Sequence, residues 1–359
     1  MRYFMWDYGG GHLDLRNSVT VLVQGKAAEV HLDTGSSVLA LCPGFAPSGP
    51  QRLQSSSGAL LEGCDLYGGG SHGFEGYAYS ANLTLAGASV SATIIEIDHM
   101  SGFEHDDCGS PRGQGSKGAV PLNGIFGFGF MGSAYRAAPA GIPDSPGLVP
   151  CPEGPRLYRE PPFKAVLETA EADWRFGISW SGSLGADVGG LYFGEAAVAR
   201  VPSSPGGGVV KAWARHSDHY EVMVTAVELV AESGKREVLH RQDVLEWSIV
   251  DTGDPQVHMP YVFHKHIREH FERNDADLVV VIKIDNTDVN PVDLKLKITK
   301  GVAAAMQDED KHWQFFGDGN VKLGLTLMRW YEYILFERPP GHSNSITFVP
   351  RAIPQLEVW

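Results

Sequence analysis

Asp33-Thr34-Gly35 occurs again as Asp251-Thr252-Gly253, and this repeat constrains the chain more than any other feature. Each copy closes an apolar, β-branched run, Glu29-Val30-His31-Leu32 before the first and Ser248-Ile249-Val250 before the second. A single Asp-Thr-Gly is an ordinary turn sequence. Two copies, one in each half and each at the end of a strand-like run, predict a duplicated architecture in which each half delivers one carboxylate. Two carboxylates facing one another cannot both ionise. They would hold one proton between them, so one can act as base while the other acts as acid. Asp is short and stiff, and Gly35 and Gly253 permit a tight turn and close approach of a neighbouring backbone.

A length of 359 residues suits two domains. With 43% apolar and 20% charged residues the composition is that of an ordinary globular protein, and 43 Gly with 22 Pro favour a turn-rich, mostly β chain. A formal net charge of −14 argues against a nucleic-acid partner, which requires a basic footprint. It suits work at acidic pH, where partial protonation relieves self-repulsion. The run Leu278-Val279-Val280-Val281-Ile282 is strand-sized, so no membrane span is expected. The four cysteines, Cys42, Cys64, Cys108 and Cys151, include no Cys-x-x-Cys pair. Three pairings are open. Cys42–Cys64 with Cys108–Cys151 is the expected one, implying an oxidising compartment; four buried thiols are the alternative. The N-terminus, Met1-Arg2-Tyr3-Phe4-Met5-Trp6, lacks the apolar core and cleavage site of a signal peptide, so a targeting segment is absent from this chain. Asn82-Leu83-Thr84 is a glycosylation sequon.

Along the chain, Val19–Val23 reads as a strand turning at Gln24-Gly25 into a second strand over 28–32. Residues 58–85 read as a hairpin with Gly68-Gly69-Gly70 at its tip, and 89–97 as another strand. Segments 101–120 and 139–155 read as long loops, 163–170 as a short helix, and 202–208 as a linker. Strands are expected over 220–229, 246–250, 294–298 and 329–336. Residues 261–272 predict a helix, with Phe263, Ile267 and Phe271 on its buried face. His266-Ile267-Arg268-Glu269-His270 on that helix has the spacing of an inverted zinc-peptidase motif. His264 and His266 fall off the apolar stripe, so a solvated histidine face is the preferred reading and no metal is expected.

These residues resemble the pepsin-like aspartic proteases over nearly the whole chain. The resemblance rests on Asp33-Thr34-Gly35-Ser36-Ser37, on Asn123-Gly124-Ile125-Phe126-Gly127-Phe128-Gly129 as an apolar-apolar-Gly segment, and on Tyr67-Gly68-Gly69-Gly70-Ser71 at the place of the flap. In the second half it rests on Leu323-Gly324, Arg329, Tyr331 and Phe336-Glu337-Arg338. It implies a mostly β, bilobal fold of two barrel-like lobes with a cleft between them. The expected lobes are 1–185, with the first Asp-Thr-Gly and flap, and 186–359, with the second. It also implies a monomeric, secreted or endolysosomal or vacuolar endopeptidase acting on polypeptides, with no cofactor and no metal. Asp33 and Asp251 would activate a water, supported by Thr34, Gly35, Ser36, Thr252, Gly253 and Asp254. Ser36 would hydrogen-bond the outer oxygen of Asp33. Tyr67, Gly68 and Gly69 would hold substrate, and Ile125 and Phe126 would wall its pocket.

Three positions depart from the family pattern. Asp254 stands where the family has Ser or Thr, Ala40 where it has Trp, and Lys322 at an apolar position before Leu323-Gly324. A third carboxylate at 254 would resist ionisation of its neighbours, donate a proton in place of a hydroxyl, or cap its turn. These departures support an alternative function, a peptide- or protein-binding module on the same scaffold with weak or absent catalysis.

Overall fold

A computed structural model describes residues 1–7, 13–46, 52–67, 72–101, 108, 122–130, 133–137, 156–185, 187–203, 208–215, 219–233, 237–285, 291–306, 316–340 and 342–351. The fold is mostly β, in several sheets. The chain forms two compact units, one containing Asn17–Gly115 and Ala119–Glu171, the other Met1–Arg16 and Ala172–Trp359. The expected boundary near residue 185 lies inside the second of these.

The first unit is built on β2 (Leu13–Val23) from Asn17 onward, β3 (Lys26–Asp33), β4 (Leu39–Leu41), β5 (Leu61–Tyr67), β6 (His72–Leu85), β7 (Ala88–Ser101), β8 (Gly124–Gly127), β9 (Ser133–Ala137) and β10 (Arg156–Arg159). Their spatial order is β2-β3-β8-β4-β7-β6-β5-β9-β10. The β2–β3 hairpin turns at Gln24 and Gly25, both at positive φ (52° and 76°), the geometry whose twist matches that of the flanking strands. In β6, the returning arm of the hairpin expected over 58–85, side chains alternate: Ala81, Leu83 and Leu85 are buried while Asn82 is exposed. The core beneath this sheet gathers Val38, Ala40, Leu61, Phe74, Ala78, Ile95 and Ile97. A second cluster forms where helix α1 (Pro162–Thr169) brings Phe163 against Phe126 and Phe128, with the Phe128–Phe163 rings stacked at 3.7 Å. The loops expected over 101–120 and 139–155 lie almost entirely outside the described residues.

Strand order corrects the disulfide expectation. Cys42, just after β4, is bonded to Cys108 with a Cα–Cα separation of 5.0 Å. Cys64 lies on β5, and β7 and β6 stand between β5 and β4. Three inter-strand steps of about 4.8 Å put Cys64 roughly 14 Å from the β4 edge, beyond the reach of a disulfide. Cys64 is itself disulfide-bonded. Cys151 lies outside the described residues.

The second unit holds two sheets. One runs β12 (Gly189–Phe193), β11 (Arg175–Trp180), β21 (Tyr331–Glu337), β22 (Ser345–Pro350), β13 (Val210–Trp213), all antiparallel. Phe176 and Phe336, paired across β11 and β21, stack at 4.7 Å and pack edge-on against Tyr220. Strand β1 (Arg2–Asp7) joins this unit, where Tyr3 exchanges backbone hydrogen bonds with Gly185 and stacks on Trp180. The other sheet has the order β18 (Val292–Ile298), β17 (Leu278–Ile284), β14 (Glu221–Ala231), β15 (Glu237–Asp251), β20 (Lys322–Gly324), β16 (Val257–Met259), β19 (Phe316–Asp318). The apolar run 278–282 is an interior strand, which explains its lack of alternation.

Helix α3 (Tyr261–Arg273) buries Phe263, Ile267 and Phe271 as its periodicity predicts. His264 is buried with them, contrary to the solvated face expected, and its ring stacks with Tyr261. The apolar stripe is simply wide enough to take in the residue beside Phe263. Arg329, expected in a strand, closes a 3-10 helix over Leu325–Arg329 and is almost fully buried. The chain also contains short helices α2 (Gly194–Val198) and α4 (Lys300–Met306). No described helix is long and apolar enough to cross a membrane.

Candidate functional site

The two Asp-Thr-Gly turns are built in the same way, each within its own unit. In the first, β3 ends at Asp33, the chain turns, and β4 departs. Strand β8 threads between them, parallel to β3 (Asp33 opposite Gly127) and antiparallel to β4 (Ala40 opposite Ile125). Backbone hydrogen bonds from Gly127 to Val38, Phe128 to Asp33 and Gly129 to Ser36, each 2.6 Å, lace β8 to the turn. In the second, β15 ends at Asp251 and β16 departs. Strand β20 threads between them, parallel to β15 (Asp251 opposite Gly324) and antiparallel to β16 (Val257 opposite Leu323). Leu325 and Thr326 donate to the carbonyls of Asp254 and Pro255. Only glycine fits where the threaded strand meets the turn. A Cβ on Gly127 would lie 2.4 Å from the Ser37 nitrogen, and one on Gly324 would lie 2.0 Å from the Gln256 carbonyl oxygen.

Each turn also fixes its carboxylate alike. Gly35 N–H donates to Asp33 Oδ1 at 2.7 Å, and Gly253 N–H donates to Asp251 Oδ1 at 2.9 Å. Both threonines are buried, as is Asp33. Behind the first turn, buried Asn17 accepts from the His31 ring through its carbonyl and from Leu32 N–H through its side chain. Ser36 does not play the part expected of it: its Oγ is buried and makes no hydrogen bond among the described residues.

The second turn gathers further charges beside its Asp. Lys322 Nζ lies 3.0 Å from Asp254 Oδ2 and 3.6 Å from Asp251 Oδ2. His258 Nε2 lies 2.9 Å from Asp254 Oδ2. Asp254 Oδ1 also accepts the Gln256 N–H at 2.9 Å, so this residue does cap its turn. Burial by itself would push the Asp254 carboxyl up. The His258 hydrogen bond and charge, the Lys322 charge and the Gln256 N–H outweigh it and bring the group down from 3.8 to about 2. Asp254 is therefore an ionised, neutralised anion and not a proton donor. Arg16 completes the surroundings, donating to the Gly253 carbonyl at 2.7 Å. Sequence reading flagged Asp254 and Lys322 as separate departures and missed His258 and Arg16. The one local signal for His258 was its position four residues after Asp254; its place across from Lys322 comes from strand pairing.

The remaining candidates fall as follows. Tyr67 ends β5 opposite His72 in the β5–β6 hairpin, and Gly68 and Gly69 at the tip lie outside the described residues. Ile125 is half-buried against the sheet core, but Phe126 is fully enclosed by Phe128 and Phe163 and offers no surface as a pocket wall. Ala40 is fully buried in the same core. On α3, His270 Nε2 donates to the Ala276 carbonyl and His266 stacks on His240 at 4.4 Å. Among the described residues no group of three or more His, Cys, Asp or Glu side chains is placed to hold a metal ion. No protein-family model matches this chain, and no curated protein matches its sequence.

Proposed function

We propose that the chain is a pepsin-like aspartic endopeptidase, hydrolysing internal peptide bonds of extended polypeptides with Asp33 and Asp251 at acidic pH. The observation that carries this reading is the duplicated turn: two units separately end a strand in Asp-Thr-Gly, thread a Gly-closed strand beside it, and pin the Asp by the N–H two residues on. A twice-built carboxylate holder is what a proton-sharing pair requires, and the reading needs both turns to address one water. The ionised Asp takes a proton from that water as its oxygen attacks the scissile carbonyl carbon. The protonated Asp gives its proton to the carbonyl oxygen. When the C–N bond breaks, the first Asp passes its proton to the leaving nitrogen, the other Asp recovers one from the diol, and no covalent enzyme intermediate forms. The β5–β6 hairpin, with Tyr67 near its tip, serves as the flap that excludes bulk water. Disulfide bonding at Cys42, Cys64 and Cys108 supports a secretory or endolysosomal setting.

The test is cleavage of a mixed peptide library between pH 3 and 7, with a statine-type inhibitor and the Asp33→Asn variant as controls. Inhibitor-sensitive cleavage that Asp33→Asn abolishes, with the circular dichroism spectrum retained, supports the reading. Undiminished cleavage by Asp33→Asn refutes it. A second reading, a peptide-binding module without turnover, is favoured by one observation, the Lys322 ammonium beside Asp251. Inhibitor binding without hydrolysis would support it.

A further inference from the structure

We propose that the stacked rings of His240 and His266 form a pH-sensitive latch, fastening helix α3 to strand β15 when neutral and straining that contact in acid, when both rings carry charge. His240 lies on β15 and His266 on α3, within one compact unit of the chain. Their ring centroids are 4.4 Å apart with the planes tilted by 24°, and the His240 ring also meets the Phe263 ring edge-on at 4.9 Å. The pair thus ties the strand to the buried stripe of α3. Across the sheet, His240 is paired with Leu229 on β14, Leu229 with Val280 on β17, and Val280 with Leu296 on β18. These three are fully buried, so the sheet offers the ring an apolar row. On α3, Glu269 Oε2 lies 4.0 Å from His266 Nδ1, and Lys265 Nζ lies 3.8 Å from Glu269 Oε1. Arg241, next to His240 on β15, lies 2.9 Å from Asp243 and 3.7 Å from Glu228. The helix carries two more histidines, buried His264 and His270, whose Nε2 bonds the Ala276 carbonyl. Burial pushes the His240 imidazole below its ordinary value, and the His266 charge pushes it further. Because the folded value lies below the unfolded one, the hold is complete above about pH 6.5 and weakens as the pH falls through the folded value. Two cations then repel across a contact that neutral rings share. Only Pro260 stands between α3 and β16, which carries His258, so the latch acts on the element next in the chain to the second Asp-Thr-Gly turn.

The experiment measures hydrogen–deuterium exchange of the full chain from pH 8 to pH 5, read as protection of α3 relative to β17 after correction for the intrinsic pH dependence of exchange. Protection of α3 should fall by about fivefold across that range, the factor for two like unit charges roughly 4 Å apart in a medium as polar as water. His240→Phe and His266→Phe each keep a ring in the stack and remove one charge, so each should remove most of the fall. Both retain His264 and His270, which separates the latch from titration of those rings. If either variant does not fold, His240→Gln or His266→Gln serves the same comparison. NMR of the imidazoles follows the latch directly, with His240→Phe assigning the signal. The His240 midpoint should lie below that of an ordinary imidazole and rise in His266→Phe. A fall of equal size in either neutral variant, no fall in the parent, or a His240 midpoint unmoved by His266→Phe overturns the inference.

Discussion

Asp254→Asn isolates one charge in the second turn. Asn keeps an oxygen for the Gln256 N–H, so the turn retains its cap and loses only the anion shared by Lys322 and His258. The Asp254 side chain is only 12% exposed, so solvent screens these contacts little. A folded-state value of about 2 against 3.8 corresponds to about 2 kcal/mol, at about 1.4 kcal/mol per decade. Because the folded value lies below the unfolded one, this stabilisation is fully present above about pH 4. It is lost as the pH falls through about 2, where both states are protonated. Urea unfolding of the intact chain, followed by far-UV circular dichroism from pH 7 to pH 2, measures it. The variant should be less stable by about 2 kcal/mol at pH 7, and the gap should close between pH 4 and pH 2. A gap that is the same at both ends of that range would mean the lost stability came from packing or backbone change, and would refute the electrostatic account.

Two further outcomes follow from the packing of the first unit. Gly127→Ala would drive a Cβ to 2.4 Å from the Ser37 nitrogen and 2.5 Å from the Ser36 carbonyl carbon, backbone that no rotamer change can move aside. It should cost about 3 kcal/mol or more in urea unfolding; a loss below about 0.5 kcal/mol would show that β8 does not thread against the turn. Replacing Cys42 and Cys108 together by serine opens a link spanning 66 residues and should cost up to about 4 kcal/mol. Non-reducing peptide mapping should recover Cys42 joined to Cys108, and a Cys42–Cys64 peptide would contradict the order of β4, β7, β6 and β5.

What the sequence revealed was what short-range physics writes into it. The turn at Gln24-Gly25, the alternation of β6 and the apolar stripe of α3 each depend on residues within a few positions, and each appears where expected. The Asp-Thr-Gly turns were legible for the same reason. Misreadings came wherever the answer depended on which strand lies beside which. Cys42 and Cys64 are close in sequence but are separated by two intervening strands. Phe126 was expected to wall a pocket, yet Ile125 packs half-buried against the sheet core and α1 closes over Phe126 with Phe163. Arg329 read as strand because aromatic residues follow it; the chain spends five residues in a 3-10 turn before β21 begins.

The same dependence on pairing changes how the second turn should be understood. Taken singly, Asp254 and Lys322 look unfavourable to the turn. An extra carboxylate beside Asp251 would raise the cost of charging either acid, and a lysine on the short strand threaded through the turn would leave a cation at a site that suits an apolar side chain. Strand pairing sets β20 between β15 and β16, so that Lys322 meets Asp254 and His258 while still reaching Asp251. Each replacement supplies what the other lacks: the anion compensates the ammonium, and the ammonium removes the repulsion between anions. The second turn thus pins its Asp by the same N–H as the first, closes on a glycine that no side chain could replace, and sets the anion at 254 against two cationic groups.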